Sequence, residues 1–289
     1  MTLVPKKGLA AQREKELEEK LEAYRSSLSE EQLDAMVEKT KALEAYQEAG
    51  EDPKALECIP MLKRSDIKRE AAKIINEELT VDDSLFLYHD VCTNGIGYVD
   101  LMFKTDSIAP EQIPYLGLLK SVLGYVDTEN YTYGELFNEI NANTGGINCG
   151  VEVFDRADST EEFQAMFSVR GKALYTKMDF LFKMIGEILN SSKLEDTKRL
   201  YEIVASVKSR AQVNLTGAGH STAVLRAAAY SSPMAAFQDE MAGIGYYQFI
   251  EKLEKDFEQR KEETVEELCK LMKKILRPEN FMISYTGER

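Results

Sequence analysis

The stretch at residues 85–106 reads LFLYHDVCTNGIGYVDLMFKTD and indicates two β-strands joined by a tight turn. Apolar and polar residues alternate on both sides of Asn94-Gly95, which is the pattern of a strand with one buried face. Asn-Gly favours the positive φ angles of two-residue hairpin turns. The pattern therefore predicts a β-hairpin with strands at residues 84–92 and 96–105.

Residues 109–148 continue as APEQIPYLGLLKSVLGYVDTENYTYGELFNEINANTGGIN, which is typical of two helices and a turn. Apolar residues recur at helical spacing over residues 110–125 and 132–142. Thr132 followed by Glu135 is the signature of a capping box, which satisfies free amides at the start of a helix. Gly145-Gly146 favours a turn out of the second helix.

The rest of the chain predicts a second hairpin, a series of helices and a closing strand. Apolar residues alternate at residues 147–153 and again at 163–169, with a polar run between them. Helices are then expected at residues 172–190, 195–214, 218–230, 234–242, 244–257 and 260–276, before a short strand at 281–285. This order predicts an α+β fold, a mostly antiparallel sheet with helices packed on one face.

An α-helical hairpin is expected to precede this domain, at residues 9–49. Leu17, Leu21 and Tyr24 form an apolar stripe on a helix rich in Glu and Lys. Ser29 and Gln32 fit a capping box that starts a second helix. We interpret the pair as a short antiparallel coiled coil that spaces domains. The predicted division is 1–60, a charged helical hairpin linker, and 61–289, an α+β domain.

Composition limits the classes of partner. The chain of 289 residues has 36 Lys plus Arg against 50 Asp plus Glu, a net charge of −14. This charge repels phosphate backbones and anionic lipid surfaces, so neither nucleic acid nor a membrane is an expected partner. The sequence has no secretory signal and no run of eighteen apolar residues, which favours a cytoplasmic location.

Cysteine and histidine are too dispersed to form a local metal or nucleophile motif. The four cysteines have no CxxC pair, and the two histidines are His89 and His220. Cys92 follows His89 by three residues in a strand pattern, which places their side chains on opposite faces. We therefore expect reduced thiols and no metal site in this chain.

Several motifs, taken in order, resemble a known family. They are TNGIGYVDLMFKTD, PYLGLLKSVLG, YTYGELFNEI, TGGIN and GHSTAVLRAAAYSSPMAAFQDEMAGIGYYQFI. Together they resemble the third domain of the presequence-protease branch of the pitrilysin and insulinase zinc peptidases. The resemblance implies four homologous α+β domains that close around a peptide chamber, with a helical hairpin between the two halves. It places zinc on an HxxEH motif of the first domain, outside this segment.

The resemblance also implies a role for this chain. Its helix PYLGLLKSVLG corresponds to the one that carries HxxEH in the first domain, but it contains no zinc ligands and no glutamate base. The chain is thus expected to be a non-catalytic part of a zinc metalloendopeptidase that degrades unfolded peptides, in the closing half of the chamber. Its expected partners are those peptides and the other domains of the parent polypeptide.

An exposed strand edge can bind a peptide as an additional strand. This favours Gly146, Ile147, Asn148 and Cys149 as chamber-wall contacts. A different interpretation is a stand-alone, catalytically inactive peptide- or protein-binding module of the same fold. An unrelated coiled-coil scaffold would require the strands between residues 84 and 170 to be absent.

Overall fold

The computed structural model describes residues 6–50, 52–70, 73, 75–82, 84–156 and 158–289. It divides into two compact units, Met1–Ala72 and Lys73–Arg289. The division at residues 60–61 stays a prediction about domains.

The first unit contains the predicted helical hairpin, formed by α1 (Leu9–Ser27) and α2 (Glu30–Glu48), and a short helix α3 (Pro53–Leu56). The capping box at the start of α2 is confirmed, since the Gln32 amide donates to Ser29 Oγ at 3.3 Å and the Ser29 amide donates to Gln32 Oε1 at 3.0 Å. Neither α1 nor α2 contains a buried residue. The side chains of the predicted apolar stripe are therefore exposed within this unit and form no buried coiled-coil seam.

The second unit is built on one sheet of six strands in the described part of the chain. The strands are β1 (Glu77–Val81), β2 (Ser84–Asp90), β3 (Ile96–Lys104), β4 (Ile147–Arg156), β5 (Ser159–Leu174) and β6 (Phe281–Gly287). Their order across the sheet is β1-β2-β6-β3-β5-β4. Every neighbouring pair is antiparallel except β2 and β6, which confirms the mostly antiparallel sheet.

The predicted hairpin of β2 and β3 is wrong in its pairing. The closing strand β6 lies between them, parallel to β2 and antiparallel to β3. The connection Val91–Gly95 spans two strand spacings, or about 10 Å, and five residues reach that far. The turn does use the predicted Asn94-Gly95, with φ of 54° and 81°. Strand β1, which is exposed along its length, was not predicted.

The β4–β5 hairpin is confirmed, with Ile147 opposite Gly171 and Cys149 opposite Val169. Eight helices of this unit follow the predicted order: α4 (Ile113–Val122), α5 (Tyr133–Asn143), α6 (Met178–Ser191), α7 (Thr197–Gly217), α8 (Gly219–Ala228), α9 (Pro233–Ala242), α10 (Ile244–Lys255) and α11 (Phe257–Ile275). The predicted helix start at residue 172 is wrong. Strand β5 continues to Leu174, and a 3-10 turn precedes α6.

The core lies between one face of the sheet and the helices. Val99, Leu101 and Phe103 alternate along β3 and join a single cluster with Leu116 of α4 and Leu268 of α11. Burial of these side chains supplies the main driving force for the fold. The other face of the sheet carries exposed side chains, among them Tyr98, Lys104 and Arg170. The α+β class is therefore confirmed.

Candidate functional site

Strand β4 forms one edge of the sheet. It pairs only with β5, so its outer backbone groups have no strand partner in the described structure. The Gly145 amide donates to the Lys172 carbonyl at 2.7 Å, which fixes the point where β4 begins. Gly146 follows with φ of 104°, a conformation that favours glycine because it has no Cβ. The local sequence thus sets up an open strand edge.

A groove runs along this edge, between β4 and helices α4, α5 and α7. Its volume is about 540 Å³. Two exposed aromatic side chains, Tyr125 and Phe137, lie on its wall. The four predicted contact residues, Gly146, Ile147, Asn148 and Cys149, all line it. We call this cavity the β4 groove. The structure brings the four residues together there, and their contact with peptide stays a prediction.

A second cavity of about 410 Å³ lies on the exposed face of the sheet and shares Gly146 and Asn148 with the β4 groove. Arg170 is central to it. Its Nε donates to Asp100 Oδ2 at 2.7 Å, and its Nη1 lies 3.0 Å from Glu152 Oε1. The bond to Asp100 raises the pKa of Arg170. Since Arg170 is half exposed, these ion pairs add little stability, and they mainly orient charge beside the groove.

The thiols near these sites are not nucleophiles. Burial raises the pKa of Cys149 to about 12, so its thiol stays protonated at neutral pH. His89 Nδ1 lies 2.7 Å from the carbonyl of Ile75. Cys92 instead lies near Glu288, and its hydrogen bond lowers the pKa of that carboxylate. Within the described residues, His89 and Cys92 are thus held by different partners.

The described residues do not fit a zinc site. They include no group of three or more His, Cys, Asp or Glu side chains placed to hold a metal ion. Of the described helices, none combines the length and apolar character needed to cross a membrane.

Sequence reasoning missed two cations at the β4 groove, Lys120 of α4 and Arg210 of α7. A lone cation on a helix gives no signal, because most such residues are simply solvated. The spacing of Arg226 and Tyr230 predicts only a snorkelling arginine beside an aromatic ring. The Arg226 guanidinium lies 5.9 Å from that ring, and it also binds buried Asp239, with Nη1 to Oδ2 at 2.6 Å.

The fold defines a class, an α+β domain with one helix-covered sheet face and a groove at an open edge. A crystal structure of a conserved protein from Enterococcus faecalis shares the fold, with a TM-score of 0.52 and 12% identity. The match covers 74% of this chain and 49% of that one. The sequence gives the particular family. Residues 3–253 match the model of the family associated with the M16 peptidases of subfamily C, and the chain therefore belongs to that family.

Curated relatives agree with this membership. Protein HypA of Clostridium perfringens is 35% identical over 288 residues, which are 100% of this chain and 29% of that protein. Presequence protease 1 of Arabidopsis thaliana is 27% identical, with 95% and 26% coverage. The mitochondrial presequence protease of Saccharomyces cerevisiae is 28% identical, with 92% and 28% coverage. The chain thus spans less than a third of these relatives, as a segment of the peptidase family.

Proposed function

We propose that this chain forms part of the peptide-holding wall of a zinc-dependent metalloendopeptidase and binds unfolded peptides along the β4 groove. Family membership and the similarity to presequence proteases support a peptidase context. The single observation that carries the binding site is the open edge of β4 at the floor of a groove. An extended peptide added there gains backbone hydrogen bonds from groups that have no strand partner.

The groove suits a peptide of varied sequence. Backbone pairing does not depend on side-chain identity, and the exposed rings of Tyr125 and Phe137 offer apolar contact area. Asn148 is exposed and lies at the boundary with the Arg170 cavity, where a polar side chain of the peptide finds charged partners. Each part of this surface is already formed without a ligand.

Hydrolysis is assigned to other parts of the parent polypeptide. The described residues of this chain do not fit zinc, so we place the metal and the water-activating base outside it. In this proposal the chain binds and orients the peptide while the remaining domains supply the chemistry. The cytoplasmic location stays a prediction.

Fluorescence anisotropy of a labelled unfolded peptide, titrated with the chain, tests the groove. Asn141 on α5 is exposed and lines the groove, so Asn141→Trp fills it without entering the core. We expect this variant to bind at least about tenfold more weakly than wild type, a difference of about 1.4 kcal/mol. Asn138→Trp makes the same change on the same helix, at an exposed residue outside the groove, and should bind like wild type.

The outcomes separate two claims. Equal affinity of the Asn141→Trp variant and wild type, with helix content preserved by circular dichroism, would place peptide binding away from the groove. Failure of wild type to bind any unfolded peptide would overturn the proposed wall function itself.

A further inference from the structure

A third cavity, of about 330 Å³, adjoins the β4 groove on the side away from the sheet. Helices α4, α7, α8 and α10 contribute to its wall. Lys120, Ser121 and Arg210 line both cavities and so form their common boundary. Tyr246 of α10 lines the third cavity. We call Lys120, Arg210 and Tyr246 the cationic pocket.

The three members of the cationic pocket act on one another electrostatically. Burial raises the pKa of Tyr246, while a bond to Ser121 and the positive charge of Arg210 act in the opposite direction. Burial lowers the pKa of Lys120, and the Glu152 carboxylate opposes that shift. Such effects require the groups to be close. Positive charge from two helices is therefore concentrated around a buried phenol.

The polar groups of the cationic pocket lack protein acceptors. The Tyr246 side chain is 5% exposed, and its hydroxyl has no hydrogen-bond partner of good geometry among the described residues. The nearby Ser121 hydroxyl donates to the Gly117 carbonyl at 3.3 Å. Neither Lys120 nor Arg210 has a carboxylate within 4.0 Å in the part of the chain that the structure describes.

Other cations in this unit are treated differently. Lys208, two residues before Arg210 on α7, lies 2.9 Å from Glu254, and Arg226 lies 2.6 Å from buried Asp239. Buried polar groups in folded proteins are normally hydrogen-bonded, and buried charges are normally paired. An unpaired buried phenol beside two unpaired cations, all lining one cavity, is the arrangement of an anion site that awaits its ligand.

We infer that the cationic pocket binds a carboxylate of a peptide that lies in the β4 groove. This inference rests on the proposed function, because the groove supplies the peptide. A carboxylate only accepts hydrogen bonds, and the ammonium, guanidinium and phenol groups all donate them. The common boundary at Lys120 and Arg210 lets a peptide in the groove extend its end or a side chain into the pocket.

Anisotropy titrations with three versions of one short peptide test the inference. The first has a free C-terminal carboxylate, the second a C-terminal amide, and the third an amide with one internal Glu. We expect wild type to prefer at least one carboxylate peptide by about tenfold over the neutral amide. The first version identifies the chain terminus as the source, and the third identifies a side chain.

Two variants should lose this preference. Tyr246→Phe removes only the hydroxyl, which has no protein partner, so its unfolding midpoint in urea should not fall below that of wild type. Arg210→Gln changes an exposed side chain and should also leave stability unchanged. Lys252→Gln removes the same charge at an exposed site on α10 outside the cavities and should keep the preference.

Acetate binding, followed by saturation-transfer difference NMR, separates this inference from the proposed function. Equal binding of all three peptides by wild type would overturn the carboxylate site and leave the groove intact. Acetate bound by wild type and lost in Tyr246→Phe, with no peptide bound, would support the site and overturn the groove. Absence of both acetate and peptide binding would overturn both. A loss of stability in Tyr246→Phe would show that its hydroxyl has a structural partner instead.

Discussion

Replacement of Asp239 by Ala should destabilise the second unit through the start of α10, the helix that carries Tyr246. Asp239 is 1% exposed. Its Oδ1 accepts the Ile244 amide at 3.0 Å, and its Oδ2 accepts the Gly245 amide at 3.2 Å and Arg226 Nη1 at 2.6 Å. The two amides belong to the first turn of α10, where helix geometry gives them no acceptor.

The cost follows from these three bonds. Each amide–carboxylate bond contributes about 1 kcal/mol net, since the amides lose their acceptor when the side chain is truncated. The Arg226 side chain is 39% exposed, so water takes over part of its pairing and the ion pair contributes about 1 kcal/mol. The Asp239→Ala variant should therefore lose about 3 kcal/mol of unfolding free energy.

The assay is urea unfolding followed by near-ultraviolet circular dichroism, together with hydrogen exchange of the segment that contains Ile244 and Gly245. Arg226→Ala is the matched variant, because it removes only the ion pair and should cost about 1 kcal/mol. Exchange of the α10 amides should accelerate in Asp239→Ala and change little in Arg226→Ala. The reasoning is refuted if the two variants lose equal stability, or if the amides exchange as slowly in Asp239→Ala as in wild type.

Three further predictions concern packing and thiol chemistry. A Cβ at Gly117 would lie 2.6 Å from the Met241 carbonyl oxygen, so Gly117→Ala should lower the free energy of unfolding by about 1–3 kcal/mol in urea. Leu268→Ala, at a fully buried side chain, should cost about 2–5 kcal/mol in the same assay, whereas Leu43→Ala in α2 should change it by less than about 0.5 kcal/mol. At pH 8, Cys149 should react with iodoacetamide more slowly than exposed Cys58, because its pKa of about 12 keeps it protonated.

Each of these predictions has a result that contradicts it. Wild-type stability in Gly117→Ala would mean that α4 shifts to accept the methyl group. Similar losses at Leu268 and Leu43 would mean that the helical hairpin is as well packed as the core. Equal alkylation rates at the two thiols, measured by mass spectrometry of peptides, would mean that the Cys149 sulfur is solvated as a thiolate.

Local features were predictable because their causes lie within a few residues. The capping boxes at Ser29 and Thr132 are both present, since each depends on a residue three positions ahead. The β4–β5 hairpin follows from alternation on two adjacent segments. The position of residues 146–149 along a groove was also accessible, since an edge strand after a glycine turn is a local pattern. Strand β1 was missed because its side chains are all exposed and leave no apolar signal.

The sequence by itself determined the fold class, the family resemblance and the order of helices and strands. Only the tertiary structure decided that β6, from the end of the chain, separates β2 from β3. Only the tertiary structure brought Lys120, Arg210 and Tyr246 to one cavity. The physical reason is the same in both cases. Hydrogen bonding and capping act between neighbours along the chain, whereas strand insertion and convergence of side chains depend on burying apolar faces that are distant in sequence.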